Sequence, residues 1–410
     1  MRVLIVGKYP PIEGGVSSHT YWLARGLGEA GHKVAVVTNA PRVEEEYRAH
    51  IVASCEHEGH SELIPKNVAL FSLKKPPPMH IPYSESYVTR LTNLGLRAVE
   101  EHGADVIYTH YLEPYAVAGY MLKQFTGLPL VVRHAGSDIY RLLNSEDFSY
   151  VLGRILKRAD LFLVSRMLFG MARSLGIPPR RIRSILGRAL PPQFSPEGPR
   201  FDTAALGVKP NEFLITYLGK ASERKGIDEL LEAVAPLDGV KVLLVSKGRR
   251  ADAFREKIAA DGRLRDKVIM HDFVAPWIVP SILRASNMLA HLENRFPIPI
   301  HGPSQPFEAI TCGTPLLLSG EMYKKIQPGF PETSGLFSVV EDPHDVSALR
   351  EVIRCAHDDE KTLRENARRI RDEFAPKNDW DKYINSHVEL FERTRGVKRR
   401  ISSFFLPYPR

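Results

Sequence analysis

Cysteine is scarce. The 410-residue chain has three, Cys55, Cys312 and Cys355, far apart and without a C-x-x-C pair, which excludes a disulfide framework and a zinc knuckle. A reducing, cytoplasmic setting suits that usage. No stretch approaches the roughly 18 apolar residues of a membrane-spanning helix, and the short apolar run in MRVLIVGKYPPIEGG does not make the core of a secretory signal. A soluble protein is expected, or one peripheral to the inner face of a membrane. G-x-x-x-x-G-K-[ST] does not occur, and G-x-G-x-x-G occurs only as GLGEAG, Gly26 to Gly31, at the end of a helical pattern and not between a strand and a helix start, so neither the P-loop nor the dinucleotide fingerprint is supported. No D-x-D stands in a loop where it would hold a divalent metal; the acid pair Asp358-Asp359 lies in a helix-like region. Internal repeats at periods of about 20 to 50 residues, the mark of solenoids, are missing too.

What is present is globular. The chain is 43% hydrophobic and 25% charged, the ordinary composition of a protein with a large buried core, and its length suits two domains. A net charge of +8 is a mild excess that favours anionic partners. Apart from the C-terminal tail the basic residues are scattered, which argues against nucleic acid as a partner.

The first forty residues read as strand, glycine-containing loop, helix and strand: Arg2 to Val6, then Pro10 to Gly15, then Tyr21, Leu23 and Leu27 at helical spacing, then KVAVVT from Lys33 to Thr38. The alternation recurs at Asp105 to Thr109, Leu128 to Val132 and Leu161 to Val164, with a helix from Thr89 to His102. After the proline-rich stretch from Leu190 to Pro210 it restarts at Phe213 to Leu218, Val240 to Val245, Lys267 to His271, Asn287 to His291 and Thr314 to Leu318. Strands alternating with helices build parallel sheets covered on both faces. The fold class expected is α/β, with two Rossmann-like open parallel-sheet domains facing across a cleft. Residues 1–190 form the first domain, 191–212 a linker, 213–375 the second domain, 376–395 a final helix and 396–410 a basic, aromatic tail.

Three segments carry chemistry. YLGKASERKGID, from Tyr217, follows a strand and opens a helix, so Lys220, Arg224 and Lys225 ring a turn between Gly219 and Gly226. Backbone N–H groups and the positive end of a helix dipole favour an anion there, and lysines add charge-assisted hydrogen bonds; a solvated basic loop is the alternative. In GPSQPFEAITCGTPLLLS, Glu308 sits in the first turn of a helix closed by Gly313. Its carboxylate can accept hydrogen bonds from the vicinal hydroxyls of a ribose, or merely complement the helix dipole. In KYPPIEGGVSSH, Gly14 and Gly15 let the backbone approach a ligand closely, or only make the loop flexible.

These segments, in this order, resemble the GT-B glycosyltransferases of retaining family 4. GKYPPIEGGVSSHTYWLARGLGEAGHKVAVVT is similar to that family's N-terminal signature, and YLGKASERKGID with PFEAITCGTPLLLS to its donor-binding half. IRSILGRALPPQFSP resembles the inter-domain segment, and DWDKYINSHVELFERT the C-terminal helix that crosses back onto the first domain. The resemblance implies a nucleotide-sugar donor, UDP- or GDP-linked, as co-substrate, with no further cofactor and no metal. It places Lys220 and Lys225 on the donor diphosphate as catalytic charges, Lys220 standing where the family has arginine. It adds Gly14, Gly15, Gly219, Gly302, Pro303 and Ser304 to the donor site, and gives Glu308 the nucleotide ribose. The family's other glutamate would fall at Ile300; HGPSQPFE resembles a variant in which a serine- and proline-containing turn precedes the surviving glutamate and its backbone amides orient the sugar. In VVRHAGSDIY, His134 resembles the histidine that faces donor sugar and acceptor, and Asp138 holds the acid position of the same loop. His110, in YTHYLEPY, is a further acceptor-side candidate. SKGRR, from Ser246, replaces a glycine-rich turn, its charge meeting the base or a phosphate. The acceptor expected is a sugar, a lipid-linked molecule or a small molecule, with peripheral membrane contact through the tail. Two alternatives stay open: an epimerase or phosphorylase on the same architecture, and a nucleotide-sugar-binding protein without catalysis.

Overall fold

The computed structural model describes residues 1–40, 43, 45–49, 62–72, 87–184, 189–247, 250–298 and 302–398. The position of the family's other glutamate (300), part of the inter-domain segment (185–188), two residues of SKGRR (248 and 249) and the tail from 399 lie outside the described residues. The chain divides into two compact units, one drawn from Met1–Glu44, Val52–Arg188 and Asp381–Arg410, the other from Glu45–Ile51 and Ala189–Trp380.

In the first unit, β1 (Arg2–Gly7), β2 (Lys33–Thr38), β3 (Val68–Ser72), β4 (Val106–His110), β5 (Leu130–Arg133), β6 (Leu161–Val164) and β7 (Ile182–Ser184) form one sheet in the order β3-β2-β1-β4-β5-β6-β7. Every described pairing is parallel, with Val3 opposite both Val34 and Val106. Helices such as Gly15–Glu29, Tyr87–His102 and Glu146–Arg158 connect the strands. Runs such as VLIV and VAVV are buried throughout because helices cover both faces. In the second unit, β8 (Phe213–Leu218), β9 (Val240–Val245), β10 (Val268–His271), β11 (Met288–His291), β12 (Leu316–Ser319) and β13 (Ser338–Val340) form a second parallel sheet, ordered β10-β9-β8-β11-β12-β13. Phe213, Ile215, Leu231 and Val242 lie in its core.

Two strands were not expected: β3 is a half-exposed edge strand, and β13 has three residues, too short for a periodic signal. β7, also of three residues, opens the segment that resembles the family's inter-domain strand. The strand expected from Thr314 begins at Leu316, because Thr314 N–H still closes the preceding helix on the Ala309 carbonyl and Pro315 O receives Leu289 N–H. The final helix runs Trp380–Lys398, and its residues from Asp381 onward belong to the first unit. The proline-rich segment read as a linker is held within the second unit: Phe194 is buried, and the Arg284 guanidinium donates to the carbonyls of Pro199, Gln193 and Ser195 at 2.9, 3.1 and 3.1 Å.

Strand order reverses between β1 and β4 in one sheet and between β8 and β11 in the other. At such reversals neighbouring loops diverge and leave a crevice at the carboxyl ends of the strands, where open α/β sheets bind ligands.

Candidate functional site

At the β8–β11 reversal four pieces of chain converge. The first is the turn after β8, where Gly219 and Gly226 have φ of 143° and 69°. A Cβ on Gly226 would stand 2.5 Å from Leu292 Cβ, so the turn can press against the chain leaving β11 only with glycine there. The second piece is that chain itself. Glu293, fully buried, forms an ion pair with Lys225 Nζ, and Lys325 Nζ stands 3.6 Å from its other carboxylate oxygen. The third is the turn from Gly302 and the Gln305–Cys312 helix, tied to the end of β8 by Gln305 Nε2 donating to Leu218 O at 2.9 Å. The fourth is the Gly320–Ile326 helix, whose Lys325 also pairs with Glu321 at 2.7 Å.

The lysines named from the sequence therefore differ. Lys220 is exposed and its ammonium lies 4.6 Å from the ring centroid of Tyr47. Lys225 is largely buried between Glu293 and the Phe296 ring, 4.9 Å away. An ammonium has three N–H donors, so Lys225 can keep Glu293 and still donate to a phosphate oxygen. Glu308 is 7% exposed and accepts Ser304 Oγ–H through Oε1 at 2.9 Å, which fixes the carboxylate at the mouth of the same turn. Within SKGRR, Lys247 is 3.7 Å from Asp272, and Arg250 is 3.3 Å from Asp228 and 3.7 Å from Glu223. The charge expected there for a base or phosphate is engaged by carboxylates.

The first unit gathers its candidates at the carboxyl ends of β1, β4 and β5. Gly14, at φ 110°, caps the Gly15–Glu29 helix without a side-chain hydrogen bond, leaving first-turn N–H groups directed at the loop. His134 is buried, and both its ring nitrogens face backbone donors: Gly136 N–H at Nδ1, 2.8 Å, and Ser165 N–H at Nε2, 3.1 Å. A neutral imidazole carries one ring proton and accepts from only one of these two N–H groups, and a second ring proton would find no acceptor. Burial, reinforced by the Arg133 charge, lowers its pKa to about 4, so His134 organises its own loop as a neutral ring. Asp138 is fully buried and binds the N–H groups of Leu112, Ala135 and Ile139 at 3.1, 2.9 and 2.8 Å. Burial outweighs those bonds and pushes its pKa up to about 6. His110 is buried, with Nδ1 3.3 Å from Thr20 Oγ1.

Sequence reasoning missed Glu293, Lys325 and Arg133. Arg133 Nη1 donates to His19 Nε2 at 2.6 Å and to Tyr383 Oη at 3.2 Å, and among the described residues no carboxylate pairs with it. Glu293 carried one signal, an acid just past the end of an apolar strand. Among the described residues no group of three or more His, Cys, Asp and Glu side chains is placed to hold a metal ion.

Comparison with known proteins gives the class. Residues 13–186 match the family model for Glycosyltransferase Family 4, and residues 200–373 that for Glycosyl transferases group 1. The chain belongs to the family 4 type of glycosyltransferases with the GT-B fold. It is 28% identical over 253 residues to D-inositol 3-phosphate glycosyltransferase of Gordonia bronchialis, a match covering 55% of this chain and 53% of that one; the chain thus spans about half the length of that curated relative. It is 21% identical to an uncharacterized glycosyltransferase of Methanocaldococcus jannaschii over 96% of this chain and 98% of the other. Among solved structures, HepE of Anabaena in complex with UDP-glucose superposes with a TM-score of 0.64 at 18% identity, covering 96% of this chain and 100% of that one.

Proposed function

We propose that the chain transfers a hexosyl group from a UDP- or GDP-linked donor to an acceptor hydroxyl, with retention of the anomeric configuration and without a metal ion. The observation that carries this reading is the convergence at the β8–β11 reversal, where the helix that bears Glu308 is tied to the end of β8 by Gln305 and Leu218, and the turn that bears Lys220 and Lys225 is tied to the chain leaving β11 by the Lys225–Glu293 pair. Lys220 and Lys225 stabilise the diphosphate as charge develops on it, supplying by side chains the compensation a divalent cation provides elsewhere. Glu308 takes the ribose hydroxyls, and the amides of Gly302 and Ser304 face the sugar. The C1–O bond to phosphate breaks while the acceptor oxygen bonds C1 on the same face. The acceptor proton passes to the departing phosphate oxygen, so no enzyme nucleophile is required. The acceptor is a sugar, a lipid-linked alcohol or a small polyol bound by the loops around His110, His134 and Asp138. The relative named for inositol 3-phosphate supports a polyhydroxylated acceptor.

The test is product analysis by NMR after incubation with UDP- and GDP-sugars and an acceptor panel, with and without EDTA. The expected product keeps the donor's anomeric configuration and forms equally with EDTA. An inverted anomer, or loss of product on chelation, refutes the mechanism; conversion of the nucleotide-sugar without any acceptor would instead identify an epimerase.

A further inference from the structure

The first unit carries a surface that neither the donor nor the acceptor loops use. Between Arg141 and Arg183 nine lysines and arginines stand against three acids, a net +6 in a chain whose total is +8. Outside the C-terminal tail, positive charge is therefore in local excess here, because few acids offset the basic residues. Of the three acids, Asp160 is paired with Lys123 at 2.7 Å. Among the described residues none of Arg154, Lys157, Arg158, Arg166 and Arg173 pairs with a carboxylate, whereas Arg354, on the second unit, holds both Glu351 and Asp358.

Apolar side chains are exposed on the same stretch. Eight large hydrophobic residues are exposed among the described ones; four of them, Phe148, Tyr150, Val151 and Met167, lie here, and a fifth, Tyr140, directly precedes the stretch. Tyr150 and Met167 are 69% and 70% exposed. Single exposed apolar residues are ordinary, but such a cluster interleaved with cations marks a contact surface. The Glu146–Arg158 helix explains it. Its inner face, Leu152, Ile155 and Leu156, is buried, while its outer face presents Tyr150, Val151, Arg154 and Arg158. The Arg154 guanidinium lies 4.6 Å from the Tyr150 ring centroid, and an open groove of about 560 Å³ runs from this helix to Ser174 and Leu175. Arg181 donates to the Lys157 carbonyl at 3.0 Å, so the later basic residues fold back against the same helix.

We propose that this face docks the chain on an anionic phospholipid bilayer, with Tyr150 and Met167 entering the headgroup layer and Arg154, Lys157 and Arg158 lying against the phosphates. Aromatic rings with one polar end suit that depth, and basic residues beside them suit its charge. The attachment is peripheral, because no helix among the described residues is long and apolar enough to cross a membrane. The face borders the acceptor loops. Ser165, whose N–H meets His134, precedes Arg166 and Met167, and Tyr140 lies on the short helix that begins just after His134. An acceptor carried in the bilayer would reach those loops at the membrane surface.

The test is co-sedimentation of the full chain with vesicles of phosphatidylcholine alone and of phosphatidylcholine mixed with phosphatidylglycerol, at low and high salt. Binding should require phosphatidylglycerol and weaken with salt. A basic residue near an anionic surface raises partitioning about fivefold, so Arg154→Gln, Lys157→Gln and Arg158→Gln together should lower it about a hundredfold. Tyr150→Ser with Met167→Ser should also lower it, at an unchanged melting temperature because both side chains are exposed. A full-length chain carrying Lys398→Gln, Arg399→Gln and Arg400→Gln should bind as the parent does. Failure of the parent chain to sediment with phosphatidylglycerol vesicles overturns the proposal, as does loss of all binding in the tail variant. Loss in the glutamine triple variant alone, with the Tyr150 and Met167 variant binding normally, would assign the face to a soluble polyanion and also overturn it. The readout is vesicle binding, so it is decided separately from the transfer reaction.

Discussion

Acid should unfold the first unit well before it affects surface ion pairs. His19, His110, His134 and His387 are buried as neutral rings. Burial is the main cause in each, and the Arg133 charge adds to it. His134 and His387 are lowered to about 4, against about 6.5 in an unfolded chain. Below that value the unfolded chain takes up protons that the native one refuses. The stability is thus complete above about pH 6.5 and is lost as pH falls toward about 4. At about pH 5 each such histidine costs about 2 kcal/mol, so His134 and His387 together cost about 4 kcal/mol. His19 and His110, held well below the ordinary value, act in the same direction. Asp138 opposes them. Its pKa, raised to about 6, means the native carboxyl protonates first, a gain of about 1.5 kcal/mol at about pH 5 that disappears as pH rises through about 6. The net loss of a few kcal/mol is a large part of the roughly 5 to 15 kcal/mol typical of a folded protein. The assay is urea denaturation of the full chain across this pH range, followed by near-ultraviolet circular dichroism. In His387→Phe, which keeps a ring against Tyr383 and Phe391, the loss at about pH 5 should shrink by about 2 kcal/mol. Equal stability at neutral and acid pH, or the same pH slope in His387→Phe, would refute the reasoning.

Two further substitutions probe the site. Glu308→Ala should weaken nucleoside diphosphate binding about tenfold or more by calorimetry, because hydrogen bonds to a charged group contribute about 1.5 to 3 kcal/mol; unchanged affinity would remove Glu308 from the ribose site. His134→Ala should lower kcat with little change in nucleotide affinity, since its ring fills the space between the Gly136 and Ser165 backbone N–H groups of the first unit and accepts from one of them. An equal fall in both would make its role one of general stability.

Much of the fold was legible because parallel strands buried on both faces read as apolar runs, and Lys33–Thr38, Leu161–Val164, Phe213–Leu218 and Val240–Val245 match to the residue. The edge strands β3 and β13 were not, since half-exposed or three-residue segments leave no pattern to read. In the site, glycines and lysines around a strand-to-helix turn announce themselves locally. Glu293 does not: its partners Lys225 and Lys325 come from other strand ends, and only the sheet order brings them together. Arg133 is similar, with His19 114 positions away and Tyr383 250. Buried charge depends on which tertiary partners surround it, and no local spacing encodes that.

The most direct measurement is titration of UDP and GDP into the chain and into Lys220→Ala, Lys225→Ala and the two corresponding Lys→Arg variants. One of the two nucleotides should bind the parent. Each alanine variant should lose about tenfold or more in affinity, the worth of one charged hydrogen bond, with the arginine variants falling between because the charge remains while its geometry changes. Absence of binding by either nucleotide, or alanine variants that bind as tightly as the parent, would contradict a donor diphosphate site at the end of β8.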